Sequence, residues 1–139
     1  MLNGGSVKHD VSVRISDMAR FIELGSDLVN RYGQGARLSV YGHVGDGNVH
    51  FNVLAPEGAE SPAYLDEVSA KVSPCIYDLV AKLDGSFSAE YGLGQDKLPL
   101  DQNYGDPIKR HFMNALKNAF DPLGVMNPGK VVNRCADSQ

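Results

Sequence analysis

The chain lacks the features that mark several common protein classes. Its two cysteines, Cys75 and Cys135, lie far apart and form no metal-ligand or redox motif. No apolar run approaches the roughly 20 residues of a membrane span, and no signal peptide opens the chain. Lys and Arg number 13 against 17 Asp and Glu, and a net charge of −4 does not suit a general nucleic-acid binder. We therefore expect a cytoplasmic protein with reduced thiols, no transmembrane segment and no nucleic-acid partner.

The sequence also lacks the known signatures of nucleotide binding and of nucleophilic catalysis. Glycine is frequent, at 15 residues, yet none of these glycines belongs to a P-loop or to a GxGxxG motif after a strand. No serine occupies a nucleophile elbow, and neither cysteine has a histidine placed beside it by a local motif. The chain should therefore not bind a dinucleotide through a known signature.

Hydrophobic periodicity predicts the first half of the fold. Val11, Val13 and Ile15 alternate with polar residues, which is typical of a strand. Helical spacing then runs over residues 18–32, with Gly25 inside the apolar stripe where we expect a close approach to the sheet. A hairpin follows, so the order begins strand, helix, strand, strand.

The second half contains further start and stop signals. Ser61-Pro62 predicts the start of a second helix, which Pro74 should kink or split. Residues 86–90 predict a short fourth strand, and Asp106-Pro107 opens a last helix. The full order is that of the split βαβ, or ferredoxin-like, arrangement: an α+β antiparallel sheet with helices on one face and an extra C-terminal helix.

The predicted domain covers residues 8–132. Residues 1–7 predict a flexible start or boundary segment, and residues 133–139 a tail. In the ferredoxin-like arrangement helices cover only one face of the sheet. The other face is left for a ligand, a partner or another domain.

The hairpin sequence YGHVGDGNVHFN holds a candidate site. Asp46-Gly47 favours a two-residue type I′ turn, which would place His43 directly opposite His50 on the polar face. Opposed Cβ atoms lie roughly 4.5–5.5 Å apart, so both imidazoles could reach one metal ion. The alternative is that the two histidines are only polar residues of an amphipathic hairpin.

Glu90 would add a carboxylate to the two histidines. Two imidazoles and one carboxylate leave coordination positions open, as catalytic zinc and non-haem iron sites do. In the ferredoxin-like order, however, the fourth strand lies on the edge away from the second strand. Glu90 would reach His43 only if its loop folds back over the sheet.

Three motifs in order resemble a known family. GHVGDGNVHFN, SAEYGLGQDK and AFDPLGVMNPGKVV resemble the C-terminal domain of the FAD-linked oxidases, which include D-lactate dehydrogenases, the FAD subunit of glycolate oxidase and D-2-hydroxyglutarate dehydrogenase. The resemblance runs from about Lys8 to Val132. It implies metal ligands at His43, His50 and Glu90, substrate contacts at Lys8 and Asn52, and a flavin-facing segment that contains Asn127.

Two positions depart from the family pattern. Tyr91 stands where the family usually has a histidine that contacts the substrate and acts as the base, and a phenol is a weaker base than an imidazole near neutral pH. Arg14 replaces a proline and is, with Lys8, a candidate to hold a substrate carboxylate. We assign Tyr91 the catalytic position on the strength of the resemblance.

The resemblance implies the substrate- and metal-binding part of an FAD-dependent 2-hydroxy-acid dehydrogenase or oxidase. FAD would be bound mainly by an N-terminal domain of the parent chain, and the divalent metal would be zinc or manganese. The chain alone should then be inactive. The alternatives are a non-catalytic metal- or ligand-binding ferredoxin-like domain, and a module that forms a homodimer through its open sheet face.

Overall fold

The computed structural model describes residues 5–59 and 61–132. Residues 1–4 of the predicted flexible start, and the predicted tail, lie outside the described residues. Within the described ranges no helix combines the length and the apolar composition that crossing a membrane requires. The chain folds into two compact units, one that ends at Glu90 and one that begins at Tyr91.

The first unit contains a three-stranded antiparallel sheet and two helices. Its strands β1 (Ser6–Ser12), β2 (Arg37–His43) and β3 (Asn48–Leu54) lie in the order β1-β3-β2. Helices α1 (Met18–Tyr32) and α2 (Pro62–Lys82) pack on one face of this sheet, which confirms the predicted α+β fold class. Apolar side chains of the sheet and of both helices form one core, with Val11, Phe21, Val29, Val49, Phe51, Val53, Val68, Val72, Ile76 and Val80 almost wholly buried.

Gly25 lets α1 approach the sheet, as predicted. A Cβ atom added at Gly25 would lie 3.0 Å from Cζ of Phe51, whose ring is fully buried. Phe51 is also held by an edge-to-face contact with Phe21, with ring centroids 5.5 Å apart. The helix therefore packs on β3 at a point where any larger residue would displace a core aromatic.

Helix α2 starts as predicted but is not split. The hydroxyl of Ser61 accepts the backbone N–H of Tyr64 at 3.1 Å, so it caps the first turn. Pro74 lies inside a helix that continues to Lys82, so the prediction that it splits the helix is wrong. Pro74 and Ala70 are exposed, and solvent can therefore satisfy the carbonyl group that the proline leaves without its helical N–H donor.

Two predicted strand boundaries are corrected. The first strand ends at Ser12, and Ile15 lies in a 3₁₀ turn with 56% of its surface exposed. The predicted fourth strand over residues 86–90 is absent, and only an isolated bridge joins Ser86 to Ser12. The Ser86 hydroxyl donates to the carbonyl of Ser88 and accepts its N–H, and such local bonds compete with strand pairing.

A buried histidine connects three elements of the first unit. His9 on β1 is 1% exposed. Its Nδ1 lies 2.9 Å from the carbonyl oxygen of Phe51 on β3, and its Nε2 lies 3.0 Å from the hydroxyl of Ser73 on α2. A carbonyl oxygen only accepts, so Nδ1 carries the proton and Nε2 accepts from Ser73. Burial lowers the pKa of His9, which favours this neutral form.

The second unit contains helices α3 (Leu98–Tyr104) and α4 (Pro107–Phe120). The carboxylate of Asp106 accepts the N–H of Ile108 at 2.8 Å, which confirms the predicted start of the last helix. Helix α3 lies between the elements predicted at residues 86–90 and at Asp106-Pro107, and the sequence did not predict it. It has 7 residues, too few for an apolar period to reveal.

Gly25→Ala tests the packing of α1 on the sheet. Alanine gains about 0.5–1 kcal/mol of helix propensity over glycine, but overpacking a filled core costs about 1–3 kcal/mol. Since Phe51 is fully buried and packed against Phe21, we expect a net loss of about 1 kcal/mol in the free energy of unfolding, measured by urea denaturation. Asn30→Ala on the exposed side of α1 is the control and should be neutral or slightly stabilising. A stabilised Gly25→Ala protein would contradict the packing argument.

Candidate functional site

The hairpin connection is longer than the predicted two-residue turn. Residues Val44–Asp46 form a 3₁₀ turn, and Gly47 follows with a φ of 75°. His43 therefore opposes Asn48, and the predicted direct pairing of His43 with His50 is wrong. Val44 lies in this turn and is exposed.

Contact with the segment after β1 fixes this longer loop. The carbonyl of Gly47 accepts the N–H of Val13 at 3.0 Å. A Cβ atom added at Gly47 would collide with the carbonyl oxygen of Val13, so glycine is required both for this approach and for the positive φ. The carboxylate of Asp46 accepts the N–H of Asn48 at 3.1 Å and closes the loop.

The faces of the hairpin are nevertheless as predicted. The register differs from the expected one by an even number of residues, and side chains alternate with a period of two. The strand pairings place three rows of polar side chains across the face opposite the helices: Ser12, Asn48 and His43; Asp10, His50 and Tyr41; Lys8, Asn52 and Ser39.

Glu90 folds back over this polar face. Its Oε1 lies 3.1 Å from Nδ1 of His43, and its Oε2 lies 3.6 Å from Nε2 of His50. The amide of Asn48 donates to Oε1 of the same carboxylate. The segment after the Ser86 bridge thus folds back over the sheet, which the sequence spacing alone could not predict. It brings together His43, His50 and Glu90, the three residues that the resemblance implied.

Exposure differs among these three side chains. The side chain of His43 is 67% exposed, that of Glu90 33% and that of His50 14%. The ring of Tyr41 lies over that of His50, with centroids 5.1 Å apart. The cluster therefore has an accessible side at His43 and a sheltered side at His50.

Sequence reasoning missed two members of the cluster, Asp10 and Asn48. Asp10 is 8% exposed, and its Oδ2 accepts the N–H of Glu90 at 3.3 Å. Asn48 is 4% exposed and holds the side chain of Glu90. The signal was the alternation of Lys8, Asp10 and Ser12 on one face of β1, which becomes informative only once β1 is paired with β3.

The cluster is not a ready-made metal site. Among the described residues no group of three or more His, Cys, Asp or Glu side chains is already arranged around one point as ligands. The carboxylate of Glu90 instead lies between the imidazoles of His43 and His50 and contacts both.

The other residues predicted for the first unit divide into two groups. Lys8 is exposed and lies directly opposite Asn52, so these two residues share the polar face with the cluster. Arg14 follows β1, and its guanidinium pairs with the carboxylate of Asp84 in an exposed ion pair. Arg14 would have to leave Asp84 to bind a substrate.

Tyr91 and Asn127 belong to the second unit. Tyr91 follows Glu90 in the chain and is 74% exposed, so it is not a core residue. Asn127 has a φ of 45°, and its carbonyl accepts the N–H of Lys130 at 3.2 Å. Asn127 and Lys130 both line a shallow cavity of about 320 Å³ beside α4.

Asp121 organises the loop that contains Asn127. Its carboxylate accepts the N–H groups of Val125 and Met126, both at 3.0 Å, and pairs with the ammonium of Lys117 at 2.7 Å. The bond from Lys117 and the two N–H donors lower the pKa of Asp121 to about 2. The DPLGVMNPGK motif is therefore folded around one ionised carboxylate.

Comparison with known proteins gives the family. The model of the C-terminal domain of FAD linked oxidases matches residues 2–131. The chain therefore belongs to the FAD-linked oxidase C-terminal domain family, as its motifs predicted.

Several relatives that match are D-2-hydroxyglutarate dehydrogenases. The chain is 33% identical over 124 residues to the D-2-hydroxyglutarate dehydrogenase of Stutzerimonas stutzeri, which covers 89% of this chain and 26% of that protein. It is 34% identical to the mitochondrial enzyme of Arabidopsis thaliana over 93% of this chain and 22% of that protein. It is 36% identical to the mitochondrial enzyme of Rattus norvegicus over 94% of this chain and 23% of that protein. The chain spans about a quarter of the length of these relatives, and a cytoplasmic location stays a prediction.

The lowered pKa of Asp121 predicts acid sensitivity. Because the folded pKa lies below the ordinary value of 3.8, the unfolded state binds more protons between about pH 4 and pH 2. The stabilisation is therefore present above pH 4 and is lost as the pH falls. In Asp121→Asn the amide oxygen can still accept one backbone N–H. The amide NH₂ group is itself a donor, however, and would face Lys117 and the other N–H, so this protein should be less stable at pH 6.

Urea unfolding at pH 6 and at pH 3 measures this effect. The difference in unfolding midpoint between wild type and Asp121→Asn should shrink at pH 3. Asp96→Asn, at an exposed aspartate of the same unit, is the matched control and should differ little from wild type at either pH. An equal difference at both values would show that the charge of Asp121 does not matter.

Proposed function

We propose that this chain is the substrate- and metal-binding part of an FAD-dependent dehydrogenase that oxidises a 2-hydroxy acid. The observation that carries the proposal is the meeting of Glu90 with His43 and His50 on the polar sheet face. Lys8 and Asn52 lie on the same face, so groups for a carboxylate are next to groups for a metal. The names of the relatives make D-2-hydroxyglutarate the first acid to test.

The donor set fits a divalent metal. Two imidazoles and a carboxylate are donor types that zinc binds in proteins. The Glu90 carboxylate is already in contact with both histidines, through Oε1 to His43 at 3.1 Å and through Oε2 to His50 at 3.6 Å. The Oδ1 atom of Asn48 adds support, because it is buried beside Glu90 without a hydrogen-bond partner among the described residues, which is unusual for a native polar atom.

The roles of the chain's own residues follow from their chemistry. A bound metal would polarise the substrate hydroxyl, and a flavin would accept the hydride. His43, His50 and Glu90 would hold the metal. The ammonium of Lys8 would bind a substrate carboxylate, with Asn52 opposite it to orient the hydroxy acid by hydrogen bonds, and Arg14 would be a second cation on release from Asp84.

Tyr91 distinguishes the proposal from its main alternative. The phenol is exposed and can donate a hydrogen bond to a substrate carboxylate or carbonyl. We assign it the position of the acid–base group beside Glu90. If neither Tyr91 nor any other group supplies the base, the chain is a non-catalytic metal- or ligand-binding domain. A homodimer through the polar face stays a prediction.

A metal titration tests the donor set. Calorimetry with Zn²⁺ and with Mn²⁺ should find one site in the wild type, and His43→Ala and His50→Ala should each bind about tenfold more weakly or worse, since even an outer contact of a metal ligand is worth that much. His111→Ala, at an exposed histidine of α4, is the control and should bind like the wild type. Equal affinity in all four proteins would remove the metal from the proposal.

Helix α4 supports the proposed pairing with an FAD-binding domain. Its polar side makes the contacts within the second unit, where Arg110 pairs with Asp101 at 2.6 Å and Lys117 with Asp121. Its apolar side is exposed, in the reverse of the usual arrangement. The exposed side chains form an apolar strip on α4, made of Ile108, Phe112, Leu116 and Phe120, each at least 58% exposed.

The rest of the parent enzyme is the occupant that we propose for this apolar strip. The relatives are about four times as long as the segment that they share with this chain, and their family is defined by FAD. A solvated apolar strip of this length is typical of a protein interface. The FAD-binding domain of the parent chain would cover it.

Charge placed on the apolar strip tests this pairing. Phe112→Asp and Leu116→Asp should leave the melting temperature of the chain almost unchanged, because both side chains are already exposed. In the parent enzyme the same changes should release FAD and lower activity at least tenfold. Asn118→Asp, at an exposed polar position of α4, is the control. Full FAD content in the two apolar-strip variants would assign the strip to another partner.

A further inference from the structure

Asp10 occupies the centre of the polar sheet face. It lies on β1 directly opposite His50 of β3, and its side chain is 10% exposed. A carboxylate buried to this degree needs nearby donors or cations. Among its neighbours are two members of the cluster, Glu90 and His50.

The first connection of Asp10 is to the main chain before the second unit. Its side-chain Oδ2 accepts the N–H of Glu90, and its backbone carbonyl accepts the N–H of Ala89, both at 3.3 Å. Beyond the bridge at Ser86, these two bonds hold the segment along β1. The side chain of Glu90 reaches the hairpin histidines from a backbone that Asp10 holds.

The second connection is to the imidazole of His50. Nδ1 of His50 lies 3.9 Å from Oδ1 of Asp10, while Nε2 lies 3.6 Å from Oε2 of Glu90. At 3.9 Å the contact with Asp10 is electrostatic, since a hydrogen bond is shorter. The ring is thus aligned between two carboxylates, with one nitrogen towards the residues that would bind a metal and the other towards Asp10.

In many metal sites a carboxylate faces the ring nitrogen of the histidine that does not bind the metal, and Asp10 has this position relative to His50. A histidine that binds a metal through one nitrogen nearly always directs the other N–H at a carboxylate or a carbonyl, which fixes the orientation of the ring. We propose that Asp10 is a positioning residue that holds the backbone of Glu90 and aligns His50, so that both are presented to one bound ion. The part that concerns ion affinity rests on the proposed metal-binding function, whereas the fastening of Glu90 does not.

Three substitutions separate the two connections. Asp10→Asn keeps an oxygen that can accept the N–H of Glu90 but removes the charge that faces His50. Asp10→Ala removes both connections, and Asp10→Thr removes the reach of the carboxylate while keeping a residue that favours strands, in case the alanine protein does not fold. Asp66→Asn, at an exposed aspartate of α2, is the matched control.

Amide hydrogen exchange of the metal-free protein tests the fastening of Glu90. In Asp10→Ala and Asp10→Thr the N–H of Glu90 should exchange at least tenfold faster, while the amides of the sheet core, such as that of Phe51, keep their rates. Asp66→Asn should match the wild type. Unchanged exchange at Glu90 in either folded variant would overturn the proposal, whatever the metal measurements show.

Zn²⁺ and Co²⁺ are the probes for the alignment of His50. Asp10→Asn should bind Zn²⁺ about 10–100-fold more weakly than wild type, the usual effect of losing an outer carboxylate. At saturation its Co²⁺ absorption spectrum should also change, which a loss of stability alone would not produce. Wild-type affinity together with a wild-type spectrum would overturn the role of Asp10. If the wild-type protein bound neither ion, the metal-binding function would fail, and the exchange rates would still decide the fastening of Glu90.

Discussion

The position of β3 between two antiparallel partners is the constraint on which the rest of the structure depends. Because side chains alternate along a strand, the same seven residues send Phe51 into the core and His50 to the opposite face. The pairings with β1 and β2 then decide which side chains stand beside them. A shift of one residue in either pairing would bring apolar groups to the polar face and dismantle the cluster.

The sequence predicted those features of the fold that depend on the spacing of nearby residues. The apolar stripe of α1, the cap at Ser61 and the faces of the hairpin all follow from spacing, and a register error of an even number of residues leaves faces unchanged. The pairing of His43 was missed because the contact of Gly47 with Val13 sets the loop length. That contact joins segments far apart in the sequence, so no turn motif could reveal it.

The hairpin pattern indicated His43 and His50, but the contact of Glu90 with them was predictable only through resemblance. Glu90 lies some forty residues from the hairpin, and nothing in the spacing indicates that its backbone is held by Asp10. The loop around Asp121 shows the same limit, since one carboxylate collects donors from Lys117, Val125 and Met126 that composition alone would leave unpaired. In both places a buried or sheltered acid organises residues that carry no periodic signal.

The imidazole of His9 has a consequence for the neighbours of that residue. Its two nitrogens contact groups on β3 and α2, and sliding β1 by even one position would leave them unsatisfied inside the core, at about 1–3 kcal/mol for each lost partner. The two hydrogen bonds of His9 are thus compatible with only one register of β1. Lys8 and Asp10 flank His9 and lie on the opposite face of the sheet. The buried imidazole therefore also fixes where these two charged side chains stand along β3.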